Sequence, residues 1–240
     1  MARPPPSKFS RGLRKKKINN HAGAAARAKV QVRENVLDEI SRAGIDGVHV
    51  FDAFAGDGEM WRQVWRKADS YVGCDMTWYR DERVVFAGDN RRVLRAIDLA
   101  RFNIFDLDAW GSPWEQVMII AARRRVAPGE CIGVILTEGS AMKLKLGGYP
   151  AALRILSGLR GLPAGGARGR NELTDRAILS FCRRLKARPI RRWQAIGKTG
   201  TPVVYIGLII EGLPRVEKKA APAEPVEGAA EAANSVLANS

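Results

Sequence analysis

The chain has 240 residues, 46% of them hydrophobic, and a formal net charge of +15. That length supports one ordinary domain with a sizeable core and tails, and the charge points to a polyanionic partner, nucleic acid ahead of a membrane surface. No apolar run reaches the roughly 18 residues of a membrane span, and the basic N-terminus lacks the apolar stretch of a signal peptide. Three widely spaced cysteines (Cys74, Cys131, Cys182) and two histidines, without a CxxC or HxxxH pattern, argue for reduced thiols in the cytoplasm and against a disulfide framework or a zinc site.

The first stretch, 1–28, reads as a flexible basic arm. From Met1 to Arg33 there are ten Lys/Arg and no acid, including Arg14, Lys15, Lys16 and Lys17. Self-repulsion and the early prolines disfavour an independent fold. An arm that orders on nucleic acid is expected, the plain alternative being a solvated tail. Residues 29–43 follow as an amphipathic helix, with Val30, Val36, Leu37 and Ile40 near one face and Gly44 as its stop.

The stretch 48–59 organises the rest. An apolar strand over 48–54, ending Asp52-Ala53-Phe54, runs into a turn at Ala55-Gly56-Asp57-Gly58 and then a helix over 59–67. Gly56 and Gly58 permit positive φ and leave room for a nucleoside. Trp61 and Trp65, four apart, are expected to pack together on the sheet side of that helix. Further strands are expected over 70–75, 84–87, 102–106 and 131–137, with a helix over 114–125. Cys74 and Cys131 fall inside strands and read as core. The stretch 139–170 is broken by Gly-Gly-Tyr-Pro and Gly-Leu-Pro-Ala-Gly-Gly, with a short helix at 151–159. A firmer helix runs from 171 to 186. Strands over 188–195 and 202–210 are joined by a short hairpin and should be antiparallel. From Arg154 to Arg192 there are eleven Lys/Arg against two acids, a second basic region that includes Arg168, Arg170, Arg183 and Arg184. Residues 213–240, rich in Ala, Pro and Glu, read as a disordered tail.

Alternating strands and helices make an α/β fold with a mostly parallel sheet, helices on both faces and a ligand site at the carboxyl ends of the strands. Those ends carry Asp52 with Gly56 and Gly58, then Asp75, then Asp89-Asn90, then Asp106 and Asp108. Asp75 lies 17–19 residues past the two glycines, where an acid can hold a ribose diol. Asp89 has a second reading as a turn former. Trp61 stands where a G-x-G-x-x-G dinucleotide motif would need its third glycine.

Asp52-Ala53-Phe54-Ala55-Gly56-Asp57-Gly58 resembles the first motif of class I S-adenosylmethionine-dependent methyltransferases. Asp75 resembles their acidic end of the second strand, and Asp89-Asn90 their adenine-contacting end of the third. The resemblance covers about residues 48–210. It implies a Rossmann-like, seven-stranded class I methyltransferase sheet whose last strands are antiparallel, a methyltransferase domain at 29–212 and S-adenosyl-L-methionine as cofactor. It places Asp52, Phe54, Gly56, Gly58, Asp75, Asp89, Asn90 and Asp106 around that cofactor. Asp106-Leu107-Asp108-Ala109-Trp110-Gly111-Ser112-Pro113 is similar to the Asp-x-Asp-Pro-Phe-Gly-Ser-Pro segment of tRNA (guanine-N2) dimethyltransferases, with Ala109 in place of proline. This implies transfer of a methyl group to an exocyclic amine of an RNA or DNA base. Asp108 and the Ala109 carbonyl would accept the amine hydrogens, and Trp110 would stack on the base. The open alternatives are an N-cap role for Asp108, core packing for Trp110, a non-catalytic nucleic-acid-binding protein on the same sheet, and a methyltransferase acting on a protein or small molecule.

Overall fold

A computed structural model of the chain describes residues 24–43, 47–77, 79–141, 143, 148–160, 167–197 and 203–214. Most of the basic arm, the hairpin tip at 198–202, the breakers at 144–147 and 161–166, and all but Leu213 and Pro214 of the expected tail lie outside them.

Neighbouring residues on a strand face opposite ways, and here both faces are apolar. Val50, Ile104, Ile135 and Ile209 join one buried cluster, while Phe51, Phe105, Val134 and Leu208 join another. A sheet buried on both sides needs helices on both sides. Helix α1 (Ala24–Arg42) and the short α2 (Glu59–Gln63) cover the first face. Helices α3 (Asn90–Ala96), α4 (Trp114–Arg123), α5 (Ala151–Ser157) and α6 (Ala167–Arg184) cover the second.

The strands are β1 (His49–Asp52), β2 (Ser70–Asp75), β3 (Val85–Ala87), β4 (Ile104–Leu107), β5 (Cys131–Glu138), β6 (Ala187–Ile196) and β7 (Val204–Gly212). They form one seven-stranded sheet in the order β3-β2-β1-β4-β5-β7-β6. The first five run parallel; β7 is antiparallel to β5, and β6 to β7. The expected antiparallel pair at the C-terminus is therefore present. Pro189, which has no N–H to give, sits in the edge strand β6 beside the one break in its ladder.

Three helix boundaries differ from expectation by four residues or more. Helix α1 starts at Ala24, five residues earlier than the apolar pattern indicated. The helix expected over 59–67 ends at Gln63, and Trp65–Lys67 forms a separate 3-10 turn. The break lets Trp65 turn fully inward, where its indole N–H donates to Asp106, while Trp61 stays half-buried against Tyr71. Helix α6 begins at Ala167 and not at 171.

The register puts the ends of β1, β2, β3, β4 and β5 side by side, with Asp52 opposite Gly73 and Asp106 opposite Ile135. Helix α1 runs against this sheet with Arg33 next to Asp106 and Ile40 next to Gly133. Its first turns thus lie at the carboxyl ends of the parallel strands.

Candidate active site

The turn after β1 is built around two left-handed glycines, Gly56 (φ 48°) and Gly58 (φ 83°). A Cβ on Gly58 would lie 2.7 Å from the Arg83 guanidinium carbon, so glycine is required there twice over. Arg83, 8% exposed, reaches back from the β2–β3 connection. It donates to the carbonyls of Ala55 and Gly56 at 2.9 Å each and pairs with Asp81. The far side of the turn is held by Asp75, whose Oδ2 accepts from the Gly56 N–H at 3.0 Å while Oδ1 accepts from the Thr77 N–H at 2.8 Å. Asp75 remains half-exposed, and the residue after it, Met76, is exposed. A Cβ on Gly56 would meet only the Phe54 carbonyl oxygen, at 3.8 Å. Phe54 is half-buried beside this turn.

Several of the residues expected around the cofactor hold the framework of the site. Asp52 is 2% exposed; it accepts from the Phe54 N–H at 3.0 Å and from the Tyr71 hydroxyl at 2.9 Å, beneath the turn and not facing outward. Burial, with Asp106 nearby, pushes its carboxyl up to about 7. Asn90 turns its amide inward, donating to the Ala53 carbonyl at 2.7 Å and accepting from Gln116 at 2.8 Å. It braces the end of β1 against the start of α4. Asp89 caps α3 through the Arg91 N–H, and its hydrogen bonds to the Arg91 side chain and backbone hold the carboxyl down at about 2.

Asp106 is the clearest correction. It is fully buried, and both carboxylate oxygens are taken: Arg33 donates to them at 2.6 and 2.8 Å, and the Trp65 indole N–H at 2.9 Å. A carboxylate so enclosed cannot touch a cofactor. Burial alone would lower the pKa of the equally buried Arg33, but Asp106 and Asp108 outweigh it and the guanidinium stays charged. The sequence singled out neither Arg33 nor its partner Lys29 one turn earlier as a site residue, because both read as ordinary cations on an amphipathic helix, far along the chain from Asp106 and Asp108.

Asp108 stands at the mouth, with its side chain 15% exposed. Lys29 bridges its Oδ2, Arg33 lies 3.4 Å from the same oxygen, and the Thr137 hydroxyl donates to Oδ1 at 2.8 Å. Burial would raise its pKa, yet Arg33, Lys29 and Thr137 together hold it below the usual carboxylate range. It is a fixed anion at the rim, with Thr137 on one oxygen and Lys29 and Arg33 on the other, and it caps no helix: α4 begins behind Pro113.

The loop that carries Asp108 is held from several sides. The Ala109 N–H, which a proline would lack, donates to the Leu107 carbonyl at 2.9 Å, and the Gly139 N–H to the Gly111 carbonyl at 2.6 Å. The Trp114 indole N–H donates to the buried Glu138 at 2.5 Å. Burial pushes the Glu138 carboxyl up against the pull of Ser140 and Trp114. Trp110 projects from this loop and is 87% exposed, which removes core packing as its role.

The basic residues divide. Arg14, Lys15, Lys16 and Lys17, and the side chain of Arg168, lie outside the described residues. Arg170 is 6% exposed and near Glu138, so it faces the interior and not a phosphate. Arg183 and Arg184 are exposed, but α6 ends where β6 begins, level with the start of β5. The eight-residue β5 separates that level from Asp108, on the order of 25 Å along the strand. They are too far away to grip phosphates beside a base at Asp108. Four neighbours in the same region are paired with carboxylates: Arg176 with Glu172, Arg188 with Glu211, Arg191 with Glu39 and Arg192 with Asp175.

No family model matches the chain, and no curated protein matches it. Among solved structures it is similar to Trm1 from Pyrococcus horikoshii in complex with S-adenosyl-L-methionine, at 14% identity and a TM-score of 0.48 over 82% of this chain. It spans only 58% of the length of that protein. It is also similar to an rRNA methylase from Streptococcus thermophilus (12% identity, TM-score 0.41, 77% of this chain and 93% of that one). A third is the N-methyltransferase NodS from Bradyrhizobium japonicum with S-adenosyl-L-homocysteine (11%, 0.40, 77% and 98%). Identities and TM-scores this low say nothing of the activity of this chain, and its fold is read from the sheet itself. Five parallel strands in the order 3-2-1-4-5 with β7 reversed between β5 and β6 give this chain the class I methyltransferase fold.

Proposed function

We propose that the protein is an S-adenosylmethionine-dependent methyltransferase acting on an exocyclic amine of a nucleic-acid base. The observation that carries the reading is Asp108. An ionised carboxylate stands just past the end of β4, two residues before the exposed Trp110 and on the same carboxyl-end side of the sheet as the Asp75–Gly56 turn.

The residues at that turn fit the donor. Asp75 keeps unused acceptor capacity on both oxygens for a ribose diol. Met76 offers an exposed apolar face to a purine, and the open side of Gly56 admits close approach to backbone. Asp52, Asn90 and Asp106 contribute indirectly by fixing the strand ends. When bound, S-adenosylmethionine supplies an electrophilic methyl group. Trp110 holds the base by its face. Asp108 and the Ala109 carbonyl accept the amine hydrogens, which draws the nitrogen lone pair out of the ring and stabilises the positive charge that develops there. Asp108 is a weak base, so its part is electrostatic. The net charge of +15 supports a polyanionic substrate.

The test is calorimetric titration with S-adenosylmethionine and S-adenosylhomocysteine, followed by a labelled-methyl screen of RNA and DNA. Asp75→Ala should weaken donor binding by at least about tenfold, the loss of two charge-assisted hydrogen bonds. Asp108→Asn should lower transfer by about 10²-fold or more with donor affinity nearly unchanged. Nucleic-acid binding without any donor binding would identify a non-catalytic binding protein instead.

A further inference from the structure

Helix α1 brings two cations to the same carboxylate, and they are placed differently. Arg33 is fully buried and tied to Asp106 by two hydrogen bonds, so it cannot leave. Lys29, one turn earlier, sits at the rim with its side chain 13% exposed, on a flexible four-carbon stem. Arg33 and Thr137 suffice to keep Asp108 ionised and aimed if Lys29 swings away. While Lys29 stays, its ammonium covers Oδ2 and sets a positive charge where the reaction proposed above builds another. The chain enters α1 from this end of the sheet, and residues 1–28 hold eight Lys/Arg and no acid.

We infer that Lys29 is a specificity-determining latch: it covers Asp108 until the backbone phosphate of a nucleic-acid acceptor draws it off, so that the site favours bases carried on a polyphosphate chain over free bases. The inference rests on the proposed base-methylation reading for its consequence, though not for its mechanics. Residues 1–28 supply eight cations that attract such phosphates, and the chain continues from them directly into Lys29. Exchange of a carboxylate partner for a phosphate leaves the lysine paired and opens the outer side of Oδ2, with Arg33 3.4 Å away as its remaining partner. Loss of Lys29 from Asp108 does not uncover a lone buried charge, since Arg33 remains.

The experiment has two arms on the full-length protein. In the first, inorganic polyphosphate, which carries no base, is titrated while the Lys29 ammonium and Asp108 carboxyl resonances are followed by NMR. Both signals should shift together in the wild type, and in Lys29→Met the Asp108 signal should start at the shifted position and stay there. An Asp108 signal that polyphosphate leaves unmoved in the wild type, or that moves equally in Lys29→Met, overturns the latch. The second arm compares methyl transfer to a free nucleoside and to an oligonucleotide. Lys29→Met should raise the nucleoside rate roughly tenfold, the size of one partly screened charge interaction, and narrow the preference for the oligonucleotide. A lower nucleoside rate in Lys29→Met, with the oligonucleotide rate falling in parallel, would make Lys29 a fixed positioning residue instead. If no acceptor is methylated at all, the methyltransferase reading fails while the first arm still decides the latch. Lys29→Arg, which keeps the charge, should retain wild-type behaviour in both arms.

Discussion

At the scale of single residues, the site end of the sheet is governed by a buried charge group: Arg33 and Lys29 against Asp106, Asp108 and Asp52. Breaking a buried pair is expensive because the remaining charge is left in a poor solvent. Asp106→Asn removes the ionic partner of a fully buried guanidinium, and denaturant unfolding should show a loss of about 3–5 kcal/mol. Asp52 behaves oppositely. Burial and Asp106 raise its folded-state carboxyl to about 7, so the folded protein holds a proton that the unfolded chain releases near the ordinary value of 3.8. Stability from this group is therefore full below about 4 and falls as pH rises toward 7, with a slope of at most ~1.4 kcal/mol per pH unit. Asp52→Asn keeps the bond from the Phe54 N–H, turns the one with Tyr71 round so that the amide donates to the hydroxyl oxygen, and should remove that part of the slope. An unchanged pH profile would mean Asp52 is ionised in the folded state. None of these pairings could be read from the chain, since Arg33 and Asp106 are 73 positions apart.

At the scale of elements, the decisive piece is the connection between β4 and α4. The motif Asp106 to Pro113 was legible, and so was its position at a strand end. The division of labour within it was not. Asp106 and Asp108 are two apart on an extended chain and look equivalent, but one is fully buried and the other stands at the rim, its Oδ1 within reach of Thr137. Alanine in place of proline at position 109 is also explained locally. The loop takes its rigidity from tertiary bonds, including one from the Ala109 N–H itself. Ala109→Pro should cost about 1 kcal/mol in thermal or denaturant unfolding through loss of that bond, in addition to any strain. Trp110→Ala touches almost nothing in the fold and should leave the melting temperature within error. The same change should weaken nucleic-acid binding by about 1–3 kcal/mol, the range for one stacked base. A large loss of stability would show that Trp110 packs more than its exposure indicates.

For the molecule as a whole, charge must be judged by where tertiary structure puts it. Deleting residues 1–23, which carry seven Lys/Arg and no acid, should weaken RNA binding and lower the slope of log affinity against log salt by roughly 0.7 for each phosphate that is no longer neutralised. Charge removal at Arg183 and Arg184 should change that slope less, because those residues lie at the opposite end of the strands from Asp108. The local balance of eleven cations against two acids in 154–192 overstated that region, since Glu39 and Glu211 arrive from other parts of the chain to pair with it. The strands, most of the helices, the glycine turn, the reversed C-terminal pair and the line of acids at strand ends were all legible in one dimension. These follow from periodicity, turn chemistry and local spacing, which act over a few residues. Which of those acids face outward was settled in three dimensions, because burial and partner choice depend on groups brought together from distant positions. Asp75 and Asp108 stay partly exposed, Asp52 and Asp106 are enclosed, and the lysine paired with Asp108 comes from a helix whose first turn read, along the chain, as part of a tail.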